Sequence, residues 1–212
     1  MHEKLTEEKQ SEILEAGIYE FSEHGMDKAS MAAIAKRAGI SVGVMYKYYK
    51  DKETFFLACV RRSISRLERA LSDVFEHNGS LMDYADRIIQ VLQKHTENYT
   101  NDIMLYCEIA SGRKKDYVSA LAYEIEKDTA RIYTRLIDAA RKSGDVRSDI
   151  DPGMFAFFFD NLLMMLQFSC CCDYYRERWK YYFRDQQIPD HDYVRKELLK
   201  FIGSAFSIQT DC

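Results

Sequence analysis

The residues best placed to do chemistry lie between Val42 and Lys52, where Gly43, Tyr46, Lys47, Tyr48, Lys50 and Lys52 crowd into a short stretch. Lysine and tyrosine are hydrogen-bond donors to phosphate, Lys47 can also reach a guanine edge, and Val44 offers a methyl surface to a thymine. Gly43 removes bulk, so a backbone can come close to a partner. If Met45 and Tyr49 hold this segment by packing, Val42, Gly43, Val44, Tyr46, Lys47 and Tyr48 face outward. Lys50 and Lys52 flank the start of the next helix, which Asp51 is placed to cap. A phosphate there meets lysine charge and free helix N–H groups together.

The elements that must position these residues are legible around them. Ser30 is an N-cap, and Met31, Ile34, Ala35 and Ala38 recur at the spacing of one buried helix face. Gly39 supplies a left-handed stop, Ile40 packs back, and Ser41 caps the following helix, roughly Val42 to Tyr49. That helix is too short to stand on propensity alone and depends on packing. The layout is helix, glycine-centred turn, short basic helix, which is the layout of a helix-turn-helix DNA reader.

Charge is distributed to match. The 212-residue chain has 30 Lys and Arg against 34 Asp and Glu, a net charge of −4. Between Lys28 and Arg62, however, eight basic residues (Lys28, Lys36, Arg37, Lys47, Lys50, Lys52, Arg61, Arg62) face only Asp51 and Glu53. An overall acidic chain is not a general polyanion binder, so nucleic-acid contact is confined to this patch. The plain alternative, a solvated lysine face, explains the charge but not the coincidence of caps, turn glycine and tyrosines.

The run Ile13-Leu14, Ala16, Phe21, Gly25, Ser30, Ile34-Ala35, Ala38-Gly39-Ile40-Ser41, Gly43, Tyr46, Tyr49, Lys52-Glu53 resembles the N-terminal domain of the tetracycline-repressor (TetR) family of bacterial transcriptional regulators, over residues 11 to 57. The resemblance implies that Ser41, Gly43, Tyr46, Lys47 and Lys52 contact DNA, with Ser30 near a phosphate. Three positions depart from the family pattern. Gly17 stands where alanine is usual, Met26 where an aromatic is usual, and Val44 where threonine or serine is common. The last bears on which operator is read.

Composition describes a compact, helix-rich chain: 47% hydrophobic residues, two prolines and nine glycines. No strand-like alternation recurs. The expected fold is all-α with about nine helices: a three-helix DNA-binding domain over 1–51, then a helical effector-binding and dimerisation domain over 52–212, joined by a helix over 52–76. Further helices are expected on the faces of Leu81 to Leu92, Ile103 to Ala110 before Gly112, and Leu121 to Ala140 before Gly144. Asp151-Pro152 opens an eighth helix running to about Tyr182, and Pro189 precedes a ninth.

The stretch from Met154 to Cys172 is long enough to cross a membrane. Asp160, Asn161 and Gln167 argue against that, since an aspartate in mid-span costs about 2.5–3.5 kcal/mol. A helix apolar on nearly every side is instead buried on nearly every side. By the resemblance, its outer face and the ninth helix form a homodimer interface, with Phe155, Leu162, Val194, Leu198, Phe201, Ile202 and Ala205 as candidates. A dimer suits reading heads that must lie about 34–36 Å apart. The expected effector is a small apolar or aromatic molecule, with Met104, Glu108, Asp160, Asn161, Met164, Gln167 and Phe168 as candidate contacts. Each of the four polar residues more often serves as a satisfied core or interface hydrogen-bonding group than as a ligand contact, and Met164 and Phe168 fit core or dimer positions better than a pocket lining.

Other chemistries find no support. The N-terminus carries no signal-peptide core, so the cytoplasm is expected. Six cysteines show no paired framework, and consecutive Cys170, Cys171 and Cys172 point about 100° apart on a helix, unsuited to one tetrahedral metal. A thiol sensor pairing one of them with Cys107 is conceivable, although buried cysteines usually serve as small hydrophobes. The histidines form no paired-ligand spacing, and no phosphate loop or nucleophile elbow occurs. Neither cofactor, metal nor enzymatic activity is expected. The reading is a ligand-responsive repressor binding a two-fold-related duplex operator. The alternatives are a constitutive DNA-binding protein without effector and a helical protein-interaction module.

Overall fold

The structure, a computed structural model, describes residues 5–76, 79–111, 115–183 and 189–206, with the side chains of 111, 115–118 and 120 outside that description. The expected stops at His77-Asn78 and Gly112, and Cys212, fall outside the described residues. Among those described there are ten α-helices, one 3-10 turn and no strand: α1 Glu7–Lys28, α2 Met31–Arg37, α3 Val42–Tyr48, α4 Lys52–Ser72, a 3-10 turn Asp73–Glu76, α5 Leu81–Asn98, α6 Thr100–Ser111, α7 Lys115–Ser143, α8 Pro152–Cys171, α9 Asp173–Tyr182 and α10 His191–Phe206. The protein is all-α.

Two compact units result. The first comprises residues 1–68 and 99–113, the second residues 69–98 and 114–212. Helix α4 begins at Lys52, at the 51/52 boundary expected from sequence, but its residues up to Glu68 belong to the first unit, as does α6, which packs on α1.

In the first unit, the Thr6 hydroxyl accepts the Lys9 N–H and Glu7 and Glu8 occupy the first turn of α1, where carboxylates meet the positive end of the helix dipole. Gly25, at φ 68°, kinks the end of that helix. Phe21, Ile34, Met45, Phe55 and Phe56 are fully buried and form the core on which α1 to α4 converge. Phe21 meets Phe56 edge-on with ring centroids 5.1 Å apart, and Tyr49 meets Phe55 at 4.6 Å.

A polar network ties three helices of the same unit. Arg66 on α4 donates to both carboxylate oxygens of buried Asp102 on α6, at 3.0 and 2.9 Å, and also to Glu15 on α1. Arg62 adds a bond to Ser11 at 2.9 Å, and the Arg66 guanidinium lies over the Tyr99 ring. Burying the two charges is tolerable because each is multiply hydrogen-bonded.

In the second unit α8 packs on α7, and α5 packs on both α8 and α10. Helix α5 opens with a capping box: Ser80 Oγ accepts the Asp83 N–H, and the Asp83 carboxylate accepts the Ser80 N–H at 2.9 Å. Asp151 caps α8 through the Met154 N–H, with Pro152 in the first turn. The eighth helix expected to reach Tyr182 is broken at Cys172, whose backbone is extended (φ −83°, ψ 123°) and whose carbonyl accepts the Arg176 N–H to start α9. The break that makes α9 a separate helix falls where the apolar run gives way to Asp-Tyr-Tyr-Arg-Glu-Arg, at a change of polarity and without a glycine or proline.

Candidate nucleic-acid interface

The turn between α2 and α3 has the geometry that its residues demand. Gly39 adopts φ 66°, a left-handed conformation that costs an L side chain about 1–2 kcal/mol. Around it the Ile40 N–H returns to the Ala35 carbonyl at 2.9 Å and the Gly39 N–H to Lys36 at 3.2 Å, a Schellman-type closure that satisfies the last carbonyls of α2. Ser30 and Ser41 cap α2 and α3 through the Ala33 and Val44 N–H groups, each at 3.3 Å. Both serines are therefore capping residues that also lie on the exposed side of the unit.

Helix α3 is anchored by one fully buried side chain, Met45, with Tyr49 packing just beyond its end. Ser41, Val42, Gly43, Tyr46 and Lys47 are exposed, and Val44 and Tyr48 are half-exposed. Tyr46 leaves half of its surface open. Among the described residues, a Cβ built on Gly43 would meet nothing nearer than Ser41 Oγ at 3.8 Å, so none of them requires glycine there. A glycine within a helix costs about 1 kcal/mol relative to alanine. Its presence on the open face leaves room for something outside the fold.

Two of the expected contact residues are engaged within the unit. The Tyr48 hydroxyl accepts the Leu5 N–H at 3.0 Å, which pins the start of the described chain beside α3. The Lys52 ammonium donates to the Asp27 and Ala29 carbonyls at 3.0 and 3.3 Å, closing the end of α1 and leaving at most one of its three donors for a phosphate. Asp51 caps α4 by accepting the Thr54 N–H at 2.7 Å, and that bond holds its carboxyl below the ordinary carboxylate range. Burial, and then Cys59, push the Tyr49 phenol up, consistent with a packing role. Arg37 is drawn over the Tyr19 ring, 3.7 Å from its centroid, an interaction that the charge tally could not show.

The candidate effector contacts divide between the units. Met104 and Glu108 lie on α6 in the first unit, where the Glu108 carboxylate accepts the Met26 N–H at 3.1 Å and lies against Gly25. That bond gives Glu108 a structural task that periodicity could not reveal. Asp160, Asn161, Met164, Gln167 and Phe168 lie on α8 in the second unit. Asn161 donates to the Phe157 carbonyl of its own helix at 2.7 Å. Phe168 is buried, its ring 5.9 Å from that of Tyr175. Gln167 is buried, and its Nε2 has no hydrogen-bond partner among the described residues. Burial, and then Glu126, push the Asp160 carboxyl up to about 6.

The dimer candidates also sort by exposure. Ile202 is buried within the second unit and Phe155 packs on Phe206 with ring centroids 5.2 Å apart, so both serve the internal core. Phe201 is 62% exposed, and on α8 Met154, Phe157 and Phe158 are 50%, 61% and 53% exposed. Leu162 and Leu198 are half-exposed and Ala205 is exposed. Val194 lines a cavity of about 300 Å³ together with Arg176, Trp179 and His191, residues that no local pattern singles out because the cavity draws on α5, α8, α9 and α10. Helix α8 is the one described helix long and apolar enough to cross a membrane, and its Ala156, Phe159, Leu163 and Leu166 pack inside the second unit.

Residues 13–59 match the family profile described as "Bacterial regulatory proteins, tetR family". The chain is similar to the fatty acid metabolism regulator protein of Bacillus subtilis, 21% identical over 146 residues that cover 68% of this chain and 73% of the relative. It is also similar to the HTH-type transcriptional regulator UidR of Escherichia coli, 27% identical over 143 residues, 67% of this chain and 71% of the relative. Its fold matches that of the solved FadR of Bacillus subtilis in complex with stearoyl-CoA, with a TM-score of 0.74, 17% identity, and coverage of 93% of this chain and 99% of that one. Helix order, turn geometry and profile agree over residues 13–59: the chain carries the N-terminal DNA-binding domain of the tetR family of bacterial transcriptional regulators.

Proposed function

We propose that the protein is a cytoplasmic, ligand-responsive repressor that binds a two-fold-related operator as a homodimer and leaves it when a small, largely apolar effector binds. The observation that carries the DNA reading is the open face of α3: Gly43 without an internal reason to be glycine, beside exposed Tyr46 and Lys47. Lys47 and Tyr46 donate to phosphate or base edges, Val42 and Val44 offer apolar contact, and the capped N-terminus of α3 faces the backbone. Lys52 and Tyr48 act mainly by holding α1 and the chain start against α3.

The dimer reading is supported by Met154, Phe157, Phe158 and Phe201, large apolar side chains exposed in the single chain. Large apolar side chains left exposed in this way are what an association surface would cover. The effector reading is supported by the relatives, one a fatty acid metabolism regulator and one solved with stearoyl-CoA, which make an acyl chain or acyl thioester the first class to try. The effector need only prefer the released state by a few kcal/mol to shift the population.

The test is selection of genomic duplex fragments by the purified protein at about 150 mM salt, which suppresses non-specific phosphate binding. A Tyr46→Ala/Lys47→Ala variant runs beside it. Recovery of one two-fold-related sequence by the wild type alone supports the reading. Equal recovery by both proteins overturns it.

A further inference from the structure

Three ionisable side chains from three helices of the second unit meet at one cavity. The cavity, about 300 Å³, is lined by Leu166 and Cys170 of α8, Arg176 and Trp179 of α9, and His191 and Val194 of α10, among others. His191 places Nδ1 2.8 Å from Glu97 Oε1 on α5, and its backbone carbonyl accepts the Gln93 side-chain amide at 2.8 Å. The residue is thereby held at both ends, and its Nε2 meets Cys170 Sγ at 3.8 Å. With Nδ1–H donating to Glu97, Nε2 carries the lone pair, the form in which an imidazole accepts a proton.

Cys170 is half-buried, and its single S–H can turn between the Leu166 carbonyl, 3.3 Å away, and His191 Nε2. Burial, and then Glu97, push the thiol up, while Arg176 pulls it down. At rest the sulfur therefore keeps its proton. Such a thiol becomes a nucleophile when a neighbouring base takes the proton as the new bond forms. Cys59 and Cys171 have no such neighbour among the described contacts: Cys59 is fully buried with its thiol on the Leu14 carbonyl, and Cys171 lies against Cys172 and the Gln167 carbonyl.

We propose that Cys170 is a modification site for small α,β-unsaturated carbonyl compounds, which enter this cavity and are captured as thioethers with His191 as the base and Glu97 as its positioning residue. In the step, Sγ bonds to the β-carbon, the alkene π pair moves toward the carbonyl to give an enolate, and the thiol proton passes to His191 Nε2 and then to the α-carbon. No atom leaves and no oxidant is consumed. Arg176 on the cavity wall offers N–H donors to the oxygen on which charge grows, and Leu166, Val194 and Trp179 accept the apolar remainder. The assignment stands on the second unit alone and holds or fails independently of the DNA reading.

N-ethylmaleimide is the probe, applied to the full-length protein at less than one equivalent and read by peptide mapping and by the emission of Trp179, the only tryptophan in the chain. Cys170 is expected to be labelled at least tenfold faster than Cys107, Cys171 or Cys172, with the emission change following the same time course. His191→Gln should slow Cys170 at least tenfold, as loss of a general base does, while leaving unchanged the Cys171 rate and the Trp179 emission of the unlabelled protein, which report an intact second unit. Glu97→Gln should slow it less. Labelling of Cys107, Cys171 or Cys172 ahead of Cys170, or a His191→Gln protein that reacts at the wild-type rate, overturns the proposal.

Discussion

The Lys52 ammonium closes the end of α1 by donating to the Asp27 carbonyl at 3.0 Å, with the Ala29 carbonyl 3.3 Å away. A residue expected from sequence to meet a phosphate thus also stabilises the frame that aims α3. Lys52→Met should lower the unfolding free energy by about 1 kcal/mol, the scale of a partly exposed charged hydrogen bond, whereas Lys47→Met should leave it within about 0.5 kcal/mol. Urea unfolding of the two variants distinguishes the roles. Equal stabilities would mean that Lys52 has no structural part.

Gly17 faces Phe55 and Cys59 so closely that an added Cβ would lie 2.5 Å from the Phe55 ring and 2.6 Å from Cys59 Sγ. This accounts for a glycine where the family usually has alanine: the neighbours on α4 fill the space. Gly17→Ala gains about 1 kcal/mol of helix propensity but overpacks the core by about 1–3 kcal/mol. The variant should melt lower than wild type, and Cys59→Ala added to it should recover part of the loss because Phe55 still presses on the site.

Asp160 is held near pKa 6 by burial and then by Glu126, above the unfolded carboxylate value of about 3.9. The folded chain binds this proton more tightly than the unfolded chain. Its contribution is therefore full below about pH 4 and lost as pH rises through about 6, a difference on the order of 2 kcal/mol. Asp160→Asn should be more stable than wild type at pH 8 and equal to it near pH 4. A pH-independent difference between the two proteins would contradict this account.

Phe157 on α8 and Phe201 on α10 are each more than half exposed in the single chain. If the proposed dimer forms through them, Phe157→Glu and Phe201→Glu should each give a monomer in sedimentation experiments, because a carboxylate cannot be buried in an apolar interface without a partner. Helical content should be unchanged, since neither side chain serves the internal core. A wild-type monomer, or variants that remain dimeric, would exclude this face as the interface.

Much of the first unit was legible because its signals are local. Ser30, Gly39, Ser41 and Asp51 act within three or four residues of themselves, and each adopts the cap or turn its chemistry favours. What could not be read depends on contacts between distant residues. Glu108 reaches Met26 across 82 positions, Arg66 reaches Asp102 across 36, and neither pair leaves a periodic trace. The same holds for the cavity of Cys170 and His191, whose walls come from four helices. Helix α8 looked uniformly buried because its apolar residues surround it, and only the structure separates inward Phe159 and Leu163 from outward Phe157 and Phe158. The break at Cys172 was missed because no glycine or proline announces it.

Whether the open face of α3 reads DNA is decided by the salt dependence of binding to the selected operator fragment, measured for the wild type and for Lys47→Ala. The account predicts specific binding by the wild type at about 150 mM salt, weakened in the variant, with the slope of log affinity against log salt reduced by about one. Tyr46→Ala should weaken the same complex with little change in slope. Variants that bind the operator with wild-type affinity and wild-type slope would contradict the claim, because the residues exposed on α3 would then not touch the duplex.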